Sequence, residues 1–225
     1  MKQKGFFSVI YMFVLTLIFT SAVSGVYVIN KDRIALNDRL KLQRIILRVL
    51  AIQVPENTPD EQMAQIFDNK VRTREWEGHT VYVGLAEDGK TVEGYAFPLY
   101  GAGFWGPIDG MMGVDPKLET VLGIAFYRHT ETPGLGGRIA EQWFSRKFEG
   151  KKIRDAGPDQ EYFVFKPPGM ASEPYEVDAI TGASGTSHAV EKFLNANLRD
   201  YLALIKRNTE GGKSAATHGK TDKGA

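Results

Sequence analysis

Between Gly5 and Asn30 the chain contains no charged residue, and this run constrains the fold more than any other feature. At 1.5 Å per residue, a helix over Phe6 to Ile29 crosses the roughly 30 Å hydrocarbon core of a bilayer. A cleaved secretory leader competes with that reading. Phe6 to Thr20 has the length of a leader's apolar core, and Ala22-Val23-Ser24 sets small residues at alternate positions. The apolar run continues through GVYVI beyond that site, which favours a retained anchor. Both readings send the remainder across the membrane. Charge counting leaves the orientation open, because Lys2 and Lys4 hold the N-terminus inside while NKDRIALNDRLKLQRIILR places six basic residues just after the span.

Beyond the anchor the chain is long enough for one good core: 225 residues, 43% hydrophobic and 24% charged. A formal charge of +1, with no basic stripe interleaved with aromatics, argues against a nucleic-acid partner. The chain has no cysteine. That excludes thiolate-ligated iron–sulfur clusters, thioether-attached haem, disulfides and a lipid-modified N-terminal cysteine. His79, His129, His188 and His218 are scattered without paired spacing, so no metal site is expected.

From Leu36 to about Ile52 apolar residues recur three or four apart, predicting an amphipathic helix, and a second short helix ends near Lys70. HTVYVGLA and TVEGYAFPLY, joined by EDGK, read as a hairpin; PIDGMMGV and VLGIAFYR, joined by DPKLET, read as another. A helix over GRIAEQWFSRKFEGK, a strand EYFVFK, a proline-rich loop and the extended stretch YEVDAI follow. The last helix starts at about Ser187 and sets Val190, Phe193, Leu194, Leu198, Tyr201, Leu202 and Ile205 on one face. The expected architecture is α+β: a cytoplasmic tail and transmembrane anchor (1–30), a juxtamembrane helical region (31–72), one mixed domain with antiparallel strands and a C-terminal amphipathic helix (73–207), and a disordered polar tail (208–225).

Chemistry concentrates in EVDAITGASGTSHAV, residues 176–190, where Thr181, Ser184, Thr186 and Ser187 crowd around small residues between a strand and a helix. Three explanations compete. Thr186 or Ser187 serves as a helix N-cap, although one cap does not need four hydroxyls. A serine nucleophile on a strand–turn–helix elbow is the second, but GASGT misses G-x-S-x-G by one residue and only His188 and His218 lie downstream. The third is an anion site, in which the first amides and dipole of the helix hold a phosphate that Gly182 and Ala183 allow to approach closely. A P-loop pattern is absent.

DAITGASGTS resembles the flavinylation motif of the FMN-binding domain family, found in the C subunit of the Na+-translocating NADH:quinone oxidoreductase (Nqr) and the G subunit of the related Rnf electron-transport complex. YGAGFWGPIDGMMGV (100–114) and HTETPGLGGRI (129–139) are similar to two further segments of that family, in the same order. The resemblance spans about residues 79–205 and implies FMN joined through its phosphate to a hydroxyl by a flavin transferase. It makes Asp178 the leading acid, Thr181, Gly182 and Ala183 the approach, and Ser184 the acceptor, a serine where the family usually has threonine; Thr186 and Ser187 complete the turn. It sets the loop of Glu131, Thr132, Pro133, Gly134, Leu135 and Gly136 against the flavin, with Glu131 helping to organise that loop and Phe104 or Trp105 bordering the ring. By sequence alone, Pro133, Gly134 and Gly136 equally make a tight turn, and the two aromatics equally belong to a core. The resemblance further implies an electron carrier in an ion-pumping complex of the plasma (inner) membrane, single-pass, with its domain on the extracytoplasmic (periplasmic) side and other membrane subunits as partners. GAGFWGPI leans toward the quinone reductase and the short chain toward the Rnf type. The alternative is a stand-alone membrane-anchored flavoprotein or flavin sensor.

Overall fold

The structure is a computed structural model that describes the backbone of residues 2–55, 57–157 and 160–217, and side chains between 6 and 209. Helix α1 (Lys2–Val49) carries the uncharged run. Its segment from Phe6 onward is long and apolar enough to cross a membrane, and its large apolar side chains, Phe6, Phe13, Phe19 and Val26 among them, are exposed. The amphipathic helix expected after the span is the last part of this same element. Residues 1–42 and 43–225 form two compact units.

In the second unit, α2 (Asp60–Lys70) leads into a five-stranded antiparallel meander: β1 (Val71–Trp76), β2 (His79–Leu85), β3 (Val92–Ala102), β4 (Pro107–Val114) and β5 (Val121–Arg128), in that order. Both expected hairpins are present. The sequence pattern does not reveal β1, and a domain boundary at residue 73 would cut it. It pairs with β2 from Val71↔Gly84 to Trp76↔His79, yet only Val71 is buried. An edge strand with a charged, solvated face has no apolar alternation to read, and such charge also discourages edge-to-edge association.

One face of the sheet packs against α4 (Ser184–Thr217). Tyr201 stacks on Phe97 with ring centroids 4.6 Å apart, and Phe193 meets Phe126 edge to face at 6.4 Å. On the other face the end of α1 comes so close that a Cβ at Gly113 would lie 2.0 Å from the Val49 carbonyl oxygen. A glycine is required there by contact alone.

After β5 the expected long helix is divided into a 3₁₀ turn (Gly136–Ala140) and a short α3 (Gln142–Arg146), with Glu141 extended between them. Ile139, Phe144 and Phe148 are all fully buried. Ile139 and Phe144 are five apart, a spacing that one uninterrupted α-helix would send to different sides, so the break lets both reach the core. β6 (Val164–Lys166) and β7 (Glu176–Asp178) then pair in parallel rather than antiparallel. Their connection is pinned by two carboxylates: Asp178 Oδ1 accepts the Gly169 and Ala171 amides, and Glu176 Oε2 accepts those of Ser172 and Glu173. α4 begins at Ser184, three residues before the expected start, and its backbone continues to Thr217, past residue 207. Residues 218–225 lie outside the described residues.

Candidate functional site

The hydroxyl-rich stretch forms the turn between β7 and α4. Gly182 adopts φ +77°, a conformation that costs glycine little and other residues more, and the chain reverses there before entering the helix. The four hydroxyls then separate by environment. Ser187 is buried and its Oγ accepts the Ile180 amide at 3.0 Å, which closes the turn on itself. Thr186 is buried and its Oγ1 donates to Glu131 Oε2 at 2.5 Å. Thr181 and Ser184 are exposed. Ser184 is the first residue of α4, where the amides of the opening turn have no intrahelical acceptor and the helix dipole is positive.

Facing this turn is the segment after β5. Thr132 O accepts the amides of Leu135 and Gly137 at 3.1 and 2.9 Å, with Pro133 second and Gly134 (φ +75°) third in the turn, the arrangement of a type II turn. This presents Leu135 outward and turns Gly136 inward, where an added Cβ would lie 2.3 Å from Thr186 Oγ1 and 2.7 Å from Glu131 Oε2. The β3–β4 connection supplies the third wall. It folds tightly, with the Gly103 amide donating to Gly106 O at 2.7 Å, and displays Phe104 and Trp105, whose rings meet edge to face at 5.3 Å. These side chains are 61% and 68% exposed, so they are not core aromatics.

Together Phe104, Trp105, Glu131, Thr132, Leu135, Gly136, Gly182, Ala183, Ser184 and Thr186 line an open cleft of about 160 Å³. Pro133 and Gly134 shape its rim from within the turn, and Thr181 and Ser187 belong to the turn beneath it. Asp178 is directed elsewhere. Its Oδ2 takes Lys147 Nζ at 3.1 Å while Oδ1 organises the β6–β7 connection, and the Ala171 amide, with Lys147 and the Gly169 amide, holds its carboxyl below the usual carboxylate range. Sequence reasoning missed Gly185, which also lines the cleft and against which Phe104 rests; a Cβ there would be 2.5 Å from the ring. On the far side of Phe104 a second, mostly apolar cleft of about 460 Å³ runs along α4 past His188, Ala189, Lys192 and Phe193. Spacing alone gave no sign of either, because both depend on where the aromatic loop lands.

Residues 103–199, which contain all three walls, match the FMN-binding domain family. Over these residues the chain resembles that family. Similar proteins include the C subunit of the Na(+)-translocating NADH-quinone reductase of Neisseria meningitidis serogroup A, 39% identical over 111 residues that make up 49% of this chain and 42% of that protein. The protein of the same name from Yersinia pestis is 33% identical over 126 residues, 55% of this chain and 47% of the relative. The chain spans about half the length of the curated relatives it matches. Among solved structures, the C subunit of the Na(+)-translocating NADH-quinone reductase from Parabacteroides distasonis superposes with a TM-score of 0.65 at 26% identity, covering 78% of this chain and 96% of that one. Shewanella oneidensis NqrC shares the fold, with a TM-score of 0.58 at 21% identity over 69% of this chain and 89% of that one. The α+β architecture is therefore shared with these structures well beyond the matched segment.

Proposed function

We propose that this chain is a membrane-anchored flavoprotein subunit that carries FMN esterified to Ser184 and relays electrons within an ion-translocating oxidoreductase complex. The observation that carries the reading is the sorting of hydroxyls in the turn: Thr186 and Ser187 are buried and committed to internal hydrogen bonds, Thr181 is exposed but lies off the cleft lining, and Ser184 is both exposed and part of that lining, at the amino end of α4. Only an accessible hydroxyl can be reached by a modifying enzyme.

The residues present fit the phosphoryl end of such a cofactor. Gly182 and Gly185 flank Ser184 without side chains that would crowd a phosphate, and the opening amides of α4 offer donors to an anion. The cleft is small, so it suits the phosphoryl end and leaves the ring to the apolar rim formed by Phe104, Trp105 and Leu135. FMN, when bound, supplies the redox chemistry itself. The chain's own residues hold it, exclude water from one side and fix the distance to the next carrier. Thr132, Pro133 and Gly134 set the height of the Leu135 rim, and Asp178 stiffens the approach to the acceptor through the β6–β7 connection.

Attachment requires a flavin transferase, and an ester bond keeps the cofactor at a membrane surface from which a dissociated one would be lost. The likeness to quinone-reductase subunits supports placement in a Na+-translocating NADH-quinone reductase, with other membrane subunits as partners, and the family resemblance with the short Lys-led N-terminus, weighed above the six basic residues after the span, supports an extracytoplasmic position for the domain. The test is co-expression with a flavin transferase. A fluorescent band should survive denaturing electrophoresis in the wild type and in Thr186→Ala and vanish in Ser184→Ala; the reverse pattern would assign the ester to Thr186.

A further inference from the structure

Glu131 is an isolated acid in a glycine-rich turn by sequence, yet its side chain is 4% exposed. It joins two segments that are remote in the chain. Oε1 accepts the Trp105 amide at 3.0 Å, and Oε2 accepts the Thr186 hydroxyl at 2.5 Å. Two glycines press against it: a Cβ on Gly103 would lie 2.5 Å from Oε1, and one on Gly136 2.7 Å from Oε2. A carboxylate so buried is costly unless its oxygens are satisfied, and here each one satisfies a different wall of the cleft.

We propose that Glu131 is a positioning residue that ties the Phe104–Trp105 loop to the amino end of α4, so that the aromatic rim and the Ser184 hydroxyl keep one fixed spacing. This rests on the flavoprotein reading for its purpose, though the tie itself is a property of the unmodified chain. The loop's aromatics are mostly exposed and have little burial of their own to hold them. Without the tie they would move relative to Ser184, and a flavin attached there would lose its fixed relation to the rim.

The full chain is compared as wild type, Glu131→Ala, Glu131→Gln and Thr186→Val, each prepared with and without co-expressed flavin transferase. Gln keeps an acceptor for the Trp105 amide and gains an NH₂ that can donate to Thr186 Oγ1, so it should preserve the tie; Ala should not. In unmodified protein, hydrogen exchange at the Trp105 amide should quicken by about tenfold or more in Glu131→Ala and stay within about twofold of wild type in Glu131→Gln. Thr186→Val should leave the Trp105 amide protected and speed exchange in the first turn of α4. In flavinylated protein, steady-state anisotropy of the flavin should fall in Glu131→Ala and hold in Glu131→Gln. If Glu131→Ala does not fold, the Gln and Val variants carry the comparison. Wild-type protection at Trp105 in folded Glu131→Ala, or rapid Trp105 exchange in Glu131→Gln, overturns the tie. A wild type that takes up no flavin overturns the flavoprotein reading instead and leaves the exchange result standing.

Discussion

Two glycines on either side of the cleft respond oppositely to the same added methyl. At Gly136 a Cβ meets Thr186 Oγ1 and the Glu131 carboxylate, both buried and hydrogen-bonded to each other, so neither can yield cheaply. Gly136→Ala should therefore destabilise the domain by about 2 kcal/mol, measured by denaturant unfolding. At Gly185 the Cβ meets only the edge of the Phe104 ring, which is largely solvent-exposed and free to swing away. Gly185→Ala should leave stability unchanged or raise it by up to about 1 kcal/mol through helix propensity, while altering the absorbance envelope of an attached flavin. The hydroxyl-rich turn was legible because four small hydroxylated residues beside Gly182 are an unusual density for a plain cap. That Thr186 is not free was not legible, because its partner Glu131 lies fifty-five residues away in sequence, and no local pattern reports a partner at that distance.

Among the elements, the two hairpins were written in apolar strand-like runs separated by turn residues, and the core face of α4 in its helical period; the register of pairing was not. β1 was hidden because its side chains face water, and α3 was over-read because continuous helix periodicity takes no account of Ile139 and Phe144 needing the same core. The close approach of the end of α1 to the sheet could not be read from Gly113 alone. Gly113→Ala would force Val49 and its neighbours away from β4 and should cost about 3 kcal/mol, seen as a lower unfolding midpoint at an unchanged denaturant slope.

The β6–β7 connection carries a pH dependence of its own. The Ser172 amide, with Lys166 and the Glu173 amide, holds the Glu176 carboxyl at about 2. A carboxyl lowered in the fold contributes stability that is complete above its ordinary value near 4.5 and is lost as pH falls toward the folded value. Wild type should therefore be more stable than Glu176→Gln at pH 6, with the difference shrinking between about pH 4.5 and 2. An equal gap across that range would remove the assignment.

For the whole molecule, the division between the two units falls after Leu42, beyond the end of the uncharged run at Asn30, because the helix carries the first charged residues along with the apolar ones. Deleting residues 1–30 should move the protein from the membrane to the soluble fraction while leaving the Gln43–Ala225 unit folded. Purification of the full chain in mild detergent should bring multi-span subunits with it, whereas recovery as a lone flavoprotein would favour a carrier outside a pump. The sequence conveyed the anchor because hydrocarbon thickness sets a length that few other structures need. It did not convey how three remote segments close one cleft, since that is a product of the meander and the sharp turn before α4.

One bond, between Ser184 Oγ and a flavin phosphate, decides whether this chain is a flavin carrier of the kind proposed. Mass spectrometry of the tryptic peptide spanning residues 155–192, from protein isolated from its native host, measures it most directly. The expected result is a mass excess equal to FMN less one water, with fragments placing it on Ser184. A peptide of unmodified mass, or an excess carried by Thr181 or Thr186, would contradict it.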